Sequence, residues 1–306
     1  MSGRLKNESG FALILTLVVT ALMVAVVVEM IHQVYVDTSL SRGFRDGQQA
    51  SILAESGVTG AKALLASNAA NPVVISKLLA APYKIEDEAG SLEITLNDES
   101  GKININFLVK SGGEYEQFTQ EALQRLGKRL KIQDDVWSSV ADWIDSNDMP
   151  RSGGAESSYY RTLKPPYSAR NGKLLSLAEL SLVKGVTPEM LGRLRPFLTT
   201  YSGQAASPTQ TININTAPRE VLAALDKDID DRMVERILEE RRLQAFKDGE
   251  LSRVPGMGTI ATGLGGRITY KADLFRITSV ARVKDSARTV EAVVRLSGEI
   301  LSWQEY

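Results

Sequence analysis

Residues 10–28 read GFALILTLVVTALMVAVVV, and from Phe11 to Val28 every side chain is apolar except Thr16 and Thr20. At about 1.5 Å per helical residue the run spans about 27 Å, close to the roughly 30 Å hydrocarbon core of a bilayer. It is too long for the apolar core of a secretory signal, and no A-x-A-like cleavage site follows it. The stretch predicts a membrane helix over residues 11–30. Arg4 and Lys6 in the preceding leader place that end in the cytoplasm and everything downstream outside.

The apolar spacing does not stop at the membrane. Ala50, Ala54, Val58, Ala61 and Leu65 recur every three or four residues, so one helical face continues outward. Glycines at 43, 47, 57 and 60 predict a bend or break in that helix, and Asn71-Pro72 predicts its end. Ala54, Gly57 and Ala61 permit close approach, either of a neighbouring helix or of the chain's own sheet.

The 306 residues are 43% apolar and 24% charged, a mix that buries a core, with 36 basic groups against 37 acidic ones, so no global field draws in nucleic acid. Without cysteine there is no disulfide, thiolate nucleophile or cysteine-held zinc, and the single histidine, His32, cannot build a metal triad.

Downstream, Ser91–Leu96 and Lys102–Phe107 read as a hairpin around residues 97–101. The second of these strands carries Ile103-Asn104-Ile105-Asn106, which returns as Ile212-Asn213-Ile214-Asn215. The segments between and after these copies have helical spacing, which predicts an all-helical interior. Leu274–Val283 and Thr289–Leu296 alternate as a terminal hairpin across residues 284–288. Strands on both sides of a helical block predict an α+β chain: a long helix packed on an antiparallel sheet, with a large all-α domain inserted. The boundaries read as a leader at 1–10, an α/β unit at 31–108 and 268–306, and an inserted domain at 109–267.

Residues 134–156 carry six carboxylates and one base, Arg151. Asp145, Asn147 and Glu156 stand at the first, third and twelfth places of an EF-hand spacing, but Met149 and Pro150 occupy the fifth and sixth, so a true EF-hand is not expected. A different oxygen-ligand loop, turning at Gly153-Gly154, predicts a hard cation held by Asp142, Asp145, Asn147, Asp148 and Glu156, with calcium favoured for its irregular geometry. A solvated, Asp-capped helix end is the alternative. Asp226, Asp228, Asp230 and Asp231 form a second acidic knot, for which helix capping suffices. A polar Gly-rich loop is a poor place to raise the pKa of a catalytic acid, so no enzyme is expected.

The basic leader, Gly10-Phe11 followed at once by the apolar helix, both Ile-Asn-Ile-Asn segments and Ala141-Asp142-Trp143-Ile144-Asp145 together resemble the K-type minor pseudopilins of type II secretion. The resemblance covers essentially the whole chain. It implies cleavage after Gly10 by a prepilin peptidase, methylation of Phe11, and calcium in the inserted domain. The fifth mature position is Leu15, where most pilin-like subunits carry a glutamate that pairs with the amine of the subunit above. A carboxylate in lipid needs such a partner, and a subunit with nothing above it does not. The resemblance thus implies a pseudopilus tip, sister minor pseudopilins I and J and other pseudopilins as partners, and a single pass through the bacterial inner membrane into the periplasm. Residues 183–188 and 212–217 also resemble helix-hairpin-helix modules of DNA-uptake proteins, which leaves a DNA-binding competence-type pilin as the alternative; the acidic turn 226–231 would repel a phosphate, so no nucleic acid is expected.

Overall fold

Helix α1 (Glu8–Ser67) runs 60 residues without interruption, about 90 Å of continuous helix. The computed structural model describes residues 8–69, 71–88, 90–203 and 209–306, so Arg4 and Lys6 lie outside the described residues. After α1 come α2 (Pro72–Ala80), β1 (Tyr83–Asp87) and β2 (Gly90–Asp98). An inserted region then carries β3 (Ile103–Asn104), α3 (Gln117–Arg129), α4 (Asp135–Ile144), α5 (Ser157–Tyr160), α6 (Pro188–Leu194), β4 (Leu198–Thr199), β5 (Ile212–Asn213), α7 (Arg219–Leu225), α8 (Asp231–Leu243), α9 (Gly258–Gly263) and β6 (Ile268–Thr269). The chain closes with β7 (Leu274–Val283), β8 (Ser286–Arg295) and β9 (Ile300–Glu305).

The apolar end of α1 is exposed from Phe11 past Val28, and it is long and apolar enough to cross a membrane, with a mean hydropathy of 3.0 in its best 18-residue window. Its two hydroxyls are silenced locally: Thr16 donates to the Leu13 carbonyl and Thr20 to that of Thr16, so neither brings an unpaired donor into lipid. Further along, Ala50, Ala54, Val58, Ala61 and Leu65 are buried. They meet an antiparallel five-stranded sheet of order β1-β2-β7-β8-β9, whose inner face offers Leu92, Ile94, Leu96, Phe275, Ile277, Val290 and Val294.

The expected break in α1 is absent, and the sheet explains why at Gly57. A Cβ there would overlap Ser279 Oγ and press on Leu92 Cδ1 at 3.1 Å, so the glycine admits the helix to the sheet and packing offsets its propensity cost. Gly60 faces open space. Gly57→Val is therefore expected to destabilise the protein by about 1–3 kcal/mol through overpacking, whereas Gly60→Ala should stabilise it by roughly 0.5–1 kcal/mol. Urea melts of the two variants check this, and equal effects at both positions would refute the packing argument. Asn71-Pro72 does follow the end of α1, but it also starts α2: the Asn71 side chain accepts from the Val74 N–H, with Pro72 at the first turn.

The hairpin expected from residues 91–107 does not form. β2 pairs with β1 on one side and β7 on the other, leaving no edge for residues 102–107. Only Ile103–Asn104 is extended; the Asn104 carboxamide accepts from the Asn106 N–H and bends the chain into a 3₁₀ turn. β3 pairs in parallel with β4, and β5 with β6, so the insert contains two short ladders and is not purely helical. Ile103, Ile105 and Leu108 are buried in the insert's core, which moves its start from 109 to the end of β2; at the other end the main sheet resumes only at Leu274. The terminal hairpin is tighter than read, with Val283 paired to Ser286 and Lys284 at φ 51° in the turn.

The repeated Ile-Asn-Ile-Asn segments are wired identically. Asn106 Oδ1 accepts from the Leu174 N–H, while its Nδ2 donates to the carbonyls of Leu174 and Thr200, at 2.7, 2.9 and 2.9 Å. Asn215 does the same to Phe246 and Tyr270, at 2.8, 2.9 and 3.0 Å. A carboxamide that mimics a peptide group on both edges joins the start of each ladder to a distant loop and to the chain following its partner strand. The insert is thus two copies of one strand–helices–strand unit. Between α4 and Leu174 the first copy carries a long loop, where the second passes from α8 to Phe246 almost directly.

Candidate cation site

That long loop of the first copy holds the acidic segment. Helix α4 is anchored by Trp137, Val140, Ala141, Trp143 and Ile144, all buried, so the opposite spacing of Asp142 and its end cap Asp145 puts both carboxylates on one face. Gly153, at φ 79°, and Gly154 turn the loop back; a Cβ at Gly154 would collide with the Asp142 carboxylate. Glu156 then enters from the start of α5, whose Tyr160 stands edge-on to Trp143 at 4.9 Å.

Asp142, Asp145 and Glu156 converge: one oxygen of each lies within 4.8 Å of the others, and all three residues are buried. Of the other two residues expected to bind, Asp148 does not join them, and Asn147 is engaged in the turn. Asn147 shapes the turn, donating its N–H to Asp145 Oδ1 and accepting from the Met149 N–H, while Asp148 is exposed and accepts from Asn171 at 3.4 Å. The solvated helix end is not what forms, because the loop packs its carboxylates inward.

Arg151 Nη1 donates to Asp142 Oδ1 at 2.6 Å and to Asp145 Oδ2 at 2.5 Å. Glu156 has no such partner, and both of its oxygens are buried without a hydrogen bond. Burial, with the charges of Asp142, Asp145 and Asp148, pushes its pKa up to about 7. Burial also raises that of Asp142, against the bonds from Arg151. Lys184 Nζ, from the turn before α6, donates to the carbonyls of Gly153 and Gly154 at 3.2 and 3.0 Å and ties the loop to the rest of the insert. Neither Arg151 nor Lys184 stood out in the sequence as part of a site; Arg151's signal was its being the lone base among six carboxylates.

The second acidic knot is consumed locally. Asp230 caps α8, Asp226 accepts from the Asp228 N–H, and Asp231 pairs with Arg129 at 2.7 Å and Arg219 at 3.4 Å. In the 183–188 segment that resembles a helix-hairpin-helix turn, Gly185 takes a positive φ of 82°.

A family model described as type II secretion system protein K matches residues 101–203, and a second model with the same description matches residues 212–265; together they take in about half of the chain, including the acidic loop and both fork asparagines, Asn106 and Asn215. The chain belongs to the type II secretion system protein K family. The two models meet at the boundary between the duplicated units. Protein K of Aeromonas hydrophila is 26% identical over 94% of this chain and 93% of its own length. Protein K of Pseudomonas aeruginosa is 32% identical over 54% of this chain and 49% of its own. Among solved structures, a chain of the GspK–GspI–GspJ complex of the enterotoxigenic Escherichia coli type 2 secretion system matches with a TM-score of 0.69 and 20% identity, covering 87% of this chain and 99% of that one. That likeness confirms the pilin-like fold with its helical insert. Family membership makes this chain a minor pseudopilin, and the DNA-binding alternative finds no support in these matches. The exposed apolar helix at the amino-terminal end suits single-pass anchoring of such a component.

Proposed function

We propose that this protein is a non-enzymatic tip subunit of the type II secretion pseudopilus, held in the inner membrane by residues 11–30 with the rest in the periplasm. A prepilin peptidase would cut after Gly10, making Phe11 the first residue, and the minor pseudopilins I and J would be its neighbours. The observation that carries this reading is Leu15 on a fully exposed apolar helix. Such a helix packs among sister helices, yet it offers no carboxylate to a subunit above. The relative of known structure is complexed with GspI and GspJ, which supports these partners. Replacing Gly10 by Asp should leave the chain uncut and lower secretion to the level of a deletion. Mass spectrometry showing a first residue other than Phe11, normal secretion without the chain, or crosslinks spread along the filament shaft would each overturn the proposal.

We further propose that Asp142, Asp145 and Glu156 hold calcium. The fit rests on Glu156, whose two buried, unpartnered oxygens need a cation or a proton, and on the all-oxygen donor set, which suits a hard divalent ion with loop carbonyls in addition. The ion would neutralise the cluster and fasten α4, the loop and α5 together.

A further inference from the structure

Arg151 is fixed by two segments at once, the end of α4 and residues 113–115. Besides its bonds to Asp142 and Asp145, its Nη2 donates to the Gly113 carbonyl, and its guanidinium carbon lies 4.8 Å from the centre of the Tyr115 ring. Its backbone N–H also donates to Asp142 Oδ2 at 3.1 Å. The guanidinium offsets one of the three buried charges and spends itself on two carboxylates, leaving Glu156 alone. We infer that Arg151 is an internal counter-cation: it keeps the loop folded when no ion is bound, and it sets calcium affinity well below what three carboxylates would otherwise provide. This rests on the calcium reading above.

Two routes are open when an ion arrives, and both weaken binding. If the guanidinium stays, its positive charge remains bonded to two of the carboxylates that would hold the ion, where like charges would repel in a partly buried site. If it leaves, its charge-assisted bonds to Asp142, Asp145 and Gly113 break. The same contacts join α4 to the segment before α3, and by them the guanidinium would hold the loop without an ion.

The test is calcium chloride titration of the detergent-solubilised full chain by calorimetry, with melting curves in calcium buffers alongside. Arg151→Met keeps the aliphatic stem and removes the charge. Its calcium Kd should fall at least tenfold, while its melting temperature in chelator drops. Stabilisation follows RT ln(1 + c/Kd), with c the free calcium concentration, so melting temperatures across the calcium series give a second measure of affinity for each variant that folds in chelator, and Arg151→Lys against the parent carries the comparison where Arg151→Met does not fold. Arg151→Lys retains a charge and should fall between Met and the parent. A Met variant that binds calcium no more tightly than the parent overturns the inference, as does a Lys variant as tight as Met. If the parent binds no calcium by either measurement, the calcium reading itself fails instead.

Discussion

Glu156→Gln should make the ion-free protein more stable at pH 7.5, by about 2–3 kcal/mol, although it alters a residue proposed to bind metal. The Glu156 carboxyl is buried without a hydrogen bond, and its pKa in the folded chain, about 7, lies above the ordinary value of 4.5. Below pH 4.5 the group is protonated folded and unfolded alike, so it carries no penalty. Between 4.5 and 7 the unfolded chain releases a proton that the folded chain retains, so stability falls as pH rises. Above 7 the folded site holds a buried, unpartnered anion at full cost. The span from 4.5 to about 7, at roughly 1.4 kcal/mol per pH unit, sets an upper bound near 3.5 kcal/mol. Glutamine has the same shape and no charge, so its stability should lack this component. With calcium present the order should reverse, because the parent gains an ion and the variant lacks a ligand; saturation at a hundredfold over Kd corresponds to about 2.7 kcal/mol. Urea unfolding at pH 5 and 7.5, in chelator and in calcium, reads all four conditions. A glutamine variant weaker than the parent in chelator at pH 7.5 would sink the idea. Asp98, also raised to about 6 by burial, titrates equally in both proteins and cancels in the difference.

Phe275→Ala is the change expected to cost most, about 3–5 kcal/mol, from lost apolar burial plus the cavity left behind. Phe275 is fully buried on β7, opposite Asp98 of β2, within the core that joins the sheet to Val58, Ala61 and Leu65 of α1. The damage should concentrate there, because the insert has its own core. Trp137 and Trp143 lie in that second core, whereas Trp303 is on β9. Fluorescence of a Trp303→Phe background should therefore report a transition shifted less than the one followed by far-ultraviolet circular dichroism. Coincident transitions with a loss under 1 kcal/mol would show that Phe275 does not hold the sheet to the helix. The two cores are joined at Glu99, buried between Lys102 and Arg276 at 2.6 and 2.8 Å, and at Asp98, which accepts from Asn213 and Thr216. Burial alone would raise the Glu99 pKa, but the bond from Arg276 and the charges of Lys102 and Arg276 outweigh it and hold it low, so this junction keeps its contribution at neutral pH and loses it in acid.

How much could be read without coordinates depended on the range of the interaction involved. The membrane helix, the buried face from Ala50 to Leu65, the terminal strands and the acidic loop all follow from periodicity or local spacing, which neighbours in sequence express by themselves. The false hairpin at 102–107 shows the limit. Its alternating Ile and Asn satisfied a strand pattern, but Asn104 and Asn106 use their carboxamides on Leu174, Thr200 and their own backbone, contacts invisible until the chain closes. The glycines of α1 misled for the same reason: propensity argued for a break, and the approach of Ser279 at Gly57 decided otherwise.

The sequence by itself determined that this chain has an apolar stem without a carboxylate at Leu15, that a sheet flanks an insertion, and that six carboxylates gather around one base. Only the tertiary structure decided which carboxylates meet. Asp142, Asp145 and Glu156 converge because α4, the Gly153-Gly154 turn and α5 are set by packing of Trp143 on Tyr160, while Asp148, equally acidic, is left outside. Charge at a distance is a property of folded geometry, and residue order fixes only how far the chain must bend to create it.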